Sequence, residues 1–308
     1  MRQLSFQKEI ILLDGGLGRE LKFRGVKLSK TIWSAGALIT DPDVVRQIHV
    51  DYIEAGTDII TTNTYGIIQK DLLKEGIEGR YVELNKLACT LAIEARDMSR
   101  RNVAIAGSLP PLKGSFRPDL VGAKQEIASL YQEQAEILAP YIDFFLCETM
   151  SSVAEGRAAA RAACQTGKPV WVAWTLLDDR SGLLRSGETV GEAITSLQDL
   201  NVSGYLANCC APESITTIIP ELVDSSAFWV GGYANTFTPI PKDWTLDGGE
   251  DSDGFLPLRA DLDSENYIIH VAEWLTAGAT VVGGCCGTRP THTEKMRALV
   301  DTELKRRD

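Results

Sequence analysis

The chain has 308 residues, with 31 Lys+Arg against 42 Asp+Glu, a net charge of −11 and 44% hydrophobic residues. That balance excludes disorder as the main state and leaves enough chain for a large core. It also argues against a nucleic-acid or anionic-lipid surface, which needs a basic stripe; the longest basic cluster is Lys305-Arg306-Arg307 at the C-terminus.

No apolar run approaches the ~20 residues of a membrane span, and the N-terminus lacks a signal peptide, so a cytoplasmic protein is expected. Seven cysteines, an odd number in a chain without an export signal, speak against a disulfide framework. Cys89 and Cys164 stand singly among helical alanines and read as small core residues. The vicinal pairs Cys209-Cys210 and Cys285-Cys286 stand apart from them.

Short apolar runs recur in chain order at 10–13, 58–62, 103–107, 143–147, 170–175, 204–207, 228–233 and 280–284. Most are continuous rather than alternating, as parallel strands buried on both faces require. Helical periods fill the gaps. Asp41-Pro42 offers an N-cap and a first-turn proline, Val44, Val45, Ile48, Tyr52 and Ile53 share one face, and Gly56 stops the helix. Leu84, Leu87, Ala88, Leu91 and Ala95 repeat the pattern, as do Ile127, Leu130, Tyr131 and Leu138, with Gln134 as the polar exception. Ala55-Gly56-Thr57 and Ala277-Gly278-Ala279 form similar joints from helix to strand.

Eight strands alternating with helices predict a single α/β domain over 1–308, a (β/α)8 TIM barrel. The rival open sheet lacks its fingerprint, because Gly15-Gly16-Leu17-Gly18 does not read G-x-G-x-x-G. In a barrel the active site lies at the C-terminal strand ends. There the sequence places Asp14-Gly15-Gly16, Thr62-Asn63-Thr64, Ser108, Glu148, Asn208-Cys209-Cys210, Tyr233-Ala234-Asn235 and Cys285-Cys286-Gly287. Acids, amides and thiols thus share one rim.

The thiols carry the sharpest signal, since thiolates bind zinc and a catalytic site keeps one of four positions open. Adjacent residues on a strand point to opposite faces, so Cys285 and Cys286 share an ion only where the strand has ended; the flanking Gly283, Gly284 and Gly287 supply that freedom. His49, His270 and His292 are scattered, and no G-x-S-x-G elbow exists, which removes histidine-ligated zinc hydrolases and serine hydrolases.

These motifs resemble the zinc-dependent homocysteine S-methyltransferases of the S-methylmethionine- and betaine-using type. The likeness rests on Asp14-Gly15-Gly16, Asn208-Cys209 and Gly283-Gly284-Cys285-Cys286-Gly287. It extends over about residues 10 to 300, with Trp33, Asp41-Pro42-Asp43 and Glu148 included. The resemblance implies a barrel holding Zn2+ through Cys209, Cys285 and Cys286. Cys210, beside the Asn-Cys motif, is expected to point away. It further implies that Asp14 and Glu148 hold the homocysteine ammonium, and that Gly15 and Gly16 N–H groups with Thr62 take its carboxylate. Trp33 would form a wall for a cationic donor. Asn235, in Tyr-Ala-Asn where relatives often have Tyr-Pro-Asn, would lie near that donor. The acidic stretch 247–263 reads as an exposed loop and a candidate lid.

The chemistry is consistent with the residues. A free thiol with a pKa near 8.5 is a poor nucleophile at neutral pH, and zinc coordination deprotonates it. Three cysteinates leave a divalent zinc with one net negative charge, and the substrate thiolate adds another. This keeps the bound sulfur electron-rich, so the nucleophile is the zinc-activated substrate thiolate, with no side-chain base assigned. The expected partners are small molecules, homocysteine and a methyl donor. The chain ends about 20 residues after Gly287, so no folate or cobalamin domain is expected to follow, nor the C-terminal arm typical of betaine-using relatives. S-methylmethionine is therefore the first choice of donor and S-adenosylmethionine the second. Betaine, a separate methyl-carrier protein, and a different thiol or selenol acceptor are the alternatives. Two readings of other kinds stay open at this point. One is a non-catalytic cysteine redox sensor on a barrel scaffold. The other is a closed structural zinc site with Cys210 as fourth ligand.

Overall fold

The structure is a computed structural model describing residues 9–225, 227–242, 244 and 256–307. The expected strands are present as β1 (Ile11–Leu12), β2 (Ile59–Thr61), β3 (Ala104–Leu109), β4 (Phe144–Met150), β5 (Val170–Trp174), β6 (Gly204–Asn208), β7 (Trp229–Ala234) and β8 (Val281–Gly284). They pair in parallel in the order β1-β8-β7-β6-β5-β4-β3-β2. Between β1 and β2 the ring closes through a single bridge, Leu13 to Ile59, and through Asp58. The Asp58 N–H donates to Leu12 O at 2.8 Å, and its Oδ2 accepts the Leu12 N–H at 2.9 Å. Helices between the strands complete a single (β/α)8 barrel.

Both sheet faces are buried, which is why the strand runs are continuous rather than alternating. Inward-pointing Ile11, Leu13, Ile59, Phe144, Leu146, Trp171, Leu206, Trp229 and Val281 fill the barrel as one cluster. Outward-pointing Leu12, Ile60, Ile105, Phe145, Val172, Ala207 and Val230 pack under the helices. The helix Pro42–Glu54 buries Val45, Ile48, Tyr52 and Ile53 as its period predicts, with Pro42 in its first turn. Asp41 sits at the N-cap position but its side chain makes no capping bond. Gly56 and Gly278, at φ 111° and 104°, both end helices in left-handed backbone that a side chain would disfavour. Cys89 is buried and Cys164 half-buried on helices, and all seven cysteines are free thiols.

Glu148 lies inside β4 rather than after it. The β4–β5 register shifts between Cys147 and Met150, and Thr149 takes φ 62°. This bulge turns Glu148 into the barrel mouth. Of the acidic stretch 247–263, residues 247–255 lie outside the described residues. No helix among the described residues is long and apolar enough to cross a membrane.

Candidate active site and metal centre

At the C-terminal strand ends lies a pocket of about 940 Å³, its open mouth included. Its lining includes Asp14, Gly15, Gly16, Trp33, Thr62, Glu148, Cys209, Cys285 and Cys286. Of the residues to which the resemblance gives a metal, homocysteine or donor contact, Asn235 alone is not among the lining. Asn235 is buried, and its Oδ1 accepts the Phe237 N–H at 3.0 Å, so it orients Phe237, which does face the pocket.

The thiols of Cys209, Cys285 and Cys286 have sulfur atoms within 4.8 Å of one another, with Cys209 and Cys286 at 3.7 Å. Tetrahedral zinc with bonds of about 2.3 Å requires ligand sulfurs roughly 3.8 Å apart. The donor set therefore fits a thiophilic ion with little movement. Cys209 adopts φ 52°, a left-handed conformation that carries strain in a non-glycine residue. Its N–H donates to Tyr233 O at 3.1 Å, and its carbonyl accepts from Thr175 Oγ at 3.2 Å. These bonds turn its thiol into the mouth. Cys210 goes the other way, into the core beneath the helices, where burial pushes its thiol up to about 12. Among the described residues the metal-competent group holds only the three pocket thiols.

Asn208 explains why an asparagine precedes the cysteine. Its Oδ1 accepts the Thr149 N–H at 2.7 Å and its Nδ2 donates to Thr149 Oγ at 2.9 Å. The same Nδ2 lies 3.9 Å from Cys285 Sγ. One amide thus ties the β4 bulge to the end of β6 and still faces a thiol. The double cysteine depends on glycine twice. Gly287 turns the chain at φ 87°, where a Cβ would stand 2.1 Å from Thr236 Oγ. At Gly16 a Cβ would stand 2.7 Å from the Cys285 carbonyl, so only glycine lets the loop after β1 touch the thiol turn. Hydrogen bonds from Cys209 and Cys285 shift the Cys286 thiol downward.

Two carboxyls share the pocket. Asp14 accepts from Thr61 twice, from its N–H at 2.7 Å and its Oγ at 3.0 Å. Glu148 accepts from Ser108 Oγ at 2.5 Å and from Tyr233 OH at 3.3 Å. Burial pushes both up to about 7, against the lowering effect of these bonds. No Lys, Arg or His is among the described residues lining the pocket. Two buried acids without a lining cation make a site for a cationic group. Thr62 lines the pocket, but its hydroxyl is engaged by the Ser108 N–H at 3.1 Å and by Thr64 at 2.9 Å. Gly16 N–H makes a long 3.4 Å bond to Thr288 Oγ. Trp33, at φ 44°, presents its indole to the same space.

Sequence reasoning missed Thr61, although it stands one place before the selected Thr62. It also missed the aromatic wall of Phe116, Phe237 and Trp244. Phe116 and Trp244 pack with centroids 5.3 Å apart, and Phe116 and Phe237 form one apolar cluster with Cys209. No local pattern marks these loop residues; only the folded barrel brings them to the thiols.

A trio of thiols, one buried and two half-buried, beside paired acids at the catalytic rim of a (β/α)8 barrel defines an enzyme of thiol chemistry with a metal-competent centre. Residues 11–300 match the homocysteine S-methyltransferase family, and the chain belongs to it. It is similar to homocysteine S-methyltransferase YbgG of Bacillus subtilis (strain 168), 26% identical over 311 residues and 94% of both chains. It is equally similar to homocysteine S-methyltransferase of Escherichia coli (strain K12), 26% identical over 318 residues and 97% of both chains. Selenocysteine methyltransferase of Astragalus bisulcatus is 26% identical over 318 residues, 91% of this chain and 89% of that one. In fold, the metallated form of the homocysteine methyltransferase MmuM from Escherichia coli superposes with a TM-score of 0.79. It does so at 24% identity, over 97% of this chain and 99% of that one. The reaction is that of the family: methyl transfer to the thiol of homocysteine, giving methionine.

Proposed function

We propose that this transfer depends on zinc held by Cys209, Cys285 and Cys286, and that the methyl comes from a sulfonium, S-methylmethionine before S-adenosylmethionine. The observation that carries the proposal is the three-thiol cluster, with sulfurs within 4.8 Å, opening on a pocket lined, among the described residues, by two acids and no cation. Zinc bound there supplies Lewis acidity, which lowers the pKa of a coordinated thiol and keeps it as a nucleophile at neutral pH.

The chain's own groups do the remainder. Asp14 and Glu148, in their ionised forms, hold the homocysteine ammonium and so fix the distance from the amino-acid end to the sulfur. Gly15 and Gly16 N–H groups face the carboxylate, while Thr62, its hydroxyl already engaged by Ser108 and Thr64, lines the same wall. Trp33 and the Phe116–Trp244 wall bound the space left for the donor, and aromatic faces attract a sulfonium. In the transfer a new S–CH3 bond forms on homocysteine. The donor's S–CH3 bond breaks with its electron pair returning to the donor sulfur, which leaves as a neutral thioether. Charge is consumed, so exclusion of water by the apolar wall favours the step. The separation of Cys209 from Cys210 supports an open three-thiol site over both the closed structural site and a sensor built on two vicinal pairs.

The test supplies zinc-loaded protein and homocysteine with S-methylmethionine, S-adenosylmethionine, betaine or a methyl-carrier protein, and counts methionine formed. Fastest turnover with S-methylmethionine, lost on chelation and restored by zinc, is expected. Turnover that survives full metal removal, or that runs only on betaine or a carrier, contradicts the proposal.

A further inference from the structure

After β5 the chain makes a hairpin-like excursion over residues 176–189, pinned by the bridges Leu176–Leu184 and Leu183–Thr189. It carries a buried ion pair outside the pocket lining. Arg185 Nη2 lies 2.9 Å from Asp178 Oδ2, and the two side chains are 5% and 7% exposed. Burying two charges is costly, and a surface loop has no need of it. What the pair touches supplies a reason. Asp178 Oδ1 accepts the Ala211 N–H at 2.8 Å, two residues beyond the Cys209 thiol. Asp178 Oδ2 accepts the Ile240 N–H at 2.9 Å, in the loop that leads from Phe237 to Trp244. The Arg185 guanidinium lies over the Phe116 ring, 5.2 Å from its centroid, on the ring that also meets Trp244 at 5.3 Å.

We propose that Asp178 and Arg185 form a positioning pair that sets two parts of the site at once. Asp178 fixes the turn that aims the Cys209 thiol. Arg185 fixes the plane of Phe116 as the wall for the sulfonium donor. Neither residue touches substrate. The hydrogen bond to Ala211 N–H helps hold the backbone next to the left-handed Cys209, and the stacked guanidinium keeps the ring from rotating into the pocket. The inference rests on the functional reading above for the donor, but its thiol part does not need turnover.

The decisive variant is Asp178→Asn/Arg185→Gln, which removes both charges together and leaves neither buried alone. Far-UV circular dichroism confirms that it is folded. In metal-free, reduced protein its affinity for Zn2+, measured by chelator competition, is expected to fall by about tenfold or more, as for other groups that orient metal ligands. At saturating zinc the KM for S-methylmethionine is expected to rise about tenfold through misplacement of the wall. The KM for homocysteine, held by Asp14 and Glu148, stays within about twofold of its original value. The conservative Arg185→Lys keeps a charge for Asp178 but loses the planar stack. It is expected to raise only the S-methylmethionine KM and leave zinc affinity in place. A folded double variant with unchanged zinc affinity and unchanged donor KM overturns the proposal, as do equal rises in both KM values. Protein that binds zinc but methylates nothing contradicts the functional reading, while the zinc arm still decides this one.

Discussion

The sulfur atoms of Cys209 and Cys286 lie 3.7 Å apart although 77 residues separate them in the chain. Strands β6 and β8 flank β7 in the sheet, which brings their C-terminal ends together at the rim, so the pair is a product of topology rather than of local motif. Its spacing suits ligands of one ion, and the open mouth beside it leaves a place for a substrate sulfur.

Replacing one ligand should separate the pocket thiols from the core thiol. Cys285→Ser is expected to abolish both zinc binding and methionine formation. Cys210→Ala should retain one zinc per chain and cost only about 1–2 kcal/mol of stability, the loss of a small buried side chain. Metal analysis and denaturant titration of both variants check the pair of outcomes; equal metal loss in the two would contradict the assignment.

Homocysteine affinity should follow the ionisation of the paired acids. Asp14 and Glu148 attract an ammonium only when charged, and burial holds both at about 7. The homocysteine KM is therefore expected to fall as pH rises through about 7. Glu148→Gln should raise that KM by about 10–100-fold above neutral pH, the worth of a charge-assisted bond. It should also flatten the pH profile. Initial rates from pH 6 to 8.5 read both effects.

Glu155 gives a pH effect away from the pocket. It is buried in the first turn of the helix Val153–Gln165, and its Oε2 accepts from Ser151 N–H at 2.8 Å and Ser151 Oγ at 2.7 Å. Burial pushes its carboxyl up from 4.5 to about 7. Between these values the folded chain holds a proton that the unfolded chain has released, so stability falls as pH rises through that window, by on the order of 3 kcal/mol. Glu155→Gln keeps the acceptor and should remove that loss. Denaturant midpoints at pH 5 and pH 8 show it as a variant that gains relative stability only at the higher pH. His49 works in the opposite sense. It is buried with its pKa lowered by burial from 6.5 to about 4, and stability is lost as pH falls through that range.

Gly287→Ala tests the turn. At φ 87°, with Thr236 Oγ 2.1 Å from the new Cβ, the substitution strains both backbone and contact. A stability loss of at least about 1 kcal/mol is expected, together with weakened zinc retention. Thermal unfolding and metal content after dialysis measure the two.

The barrel was largely legible because strands buried on both faces must be written as continuous apolar runs, and each of the eight runs overlaps a strand. The site was legible where chemistry leaves a local mark: glycines beside cysteines, and an acid at a strand end. Within the doublet Cys209-Cys210 the choice rests on the resemblance, in which the ligand follows Asn208; both residues lie beyond the end of β6, and the left-handed backbone of Cys209 turns its thiol into the mouth. What escaped were partners fixed by long-range packing. Ser108 was noted at a strand end, but nothing nearby in sequence shows that its hydroxyl meets Glu148, 40 residues on. The β4 bulge, Phe116 and the Asp178–Arg185 pair have no periodicity to betray them. Asn235 was chosen by resemblance as a donor contact. Its side chain lies buried outside the pocket lining and its Oδ1 accepts the Phe237 N–H, a placement fixed by packing that the motif does not display.

The proposed zinc site is open and is completed by the substrate. X-ray absorption on reduced, zinc-loaded protein, with and without homocysteine, counts the sulfurs around the metal. One zinc per chain with three sulfur ligands, rising to four when homocysteine is added, is the expected result. Four sulfurs before any substrate, or no zinc bound by the reduced protein, would contradict it.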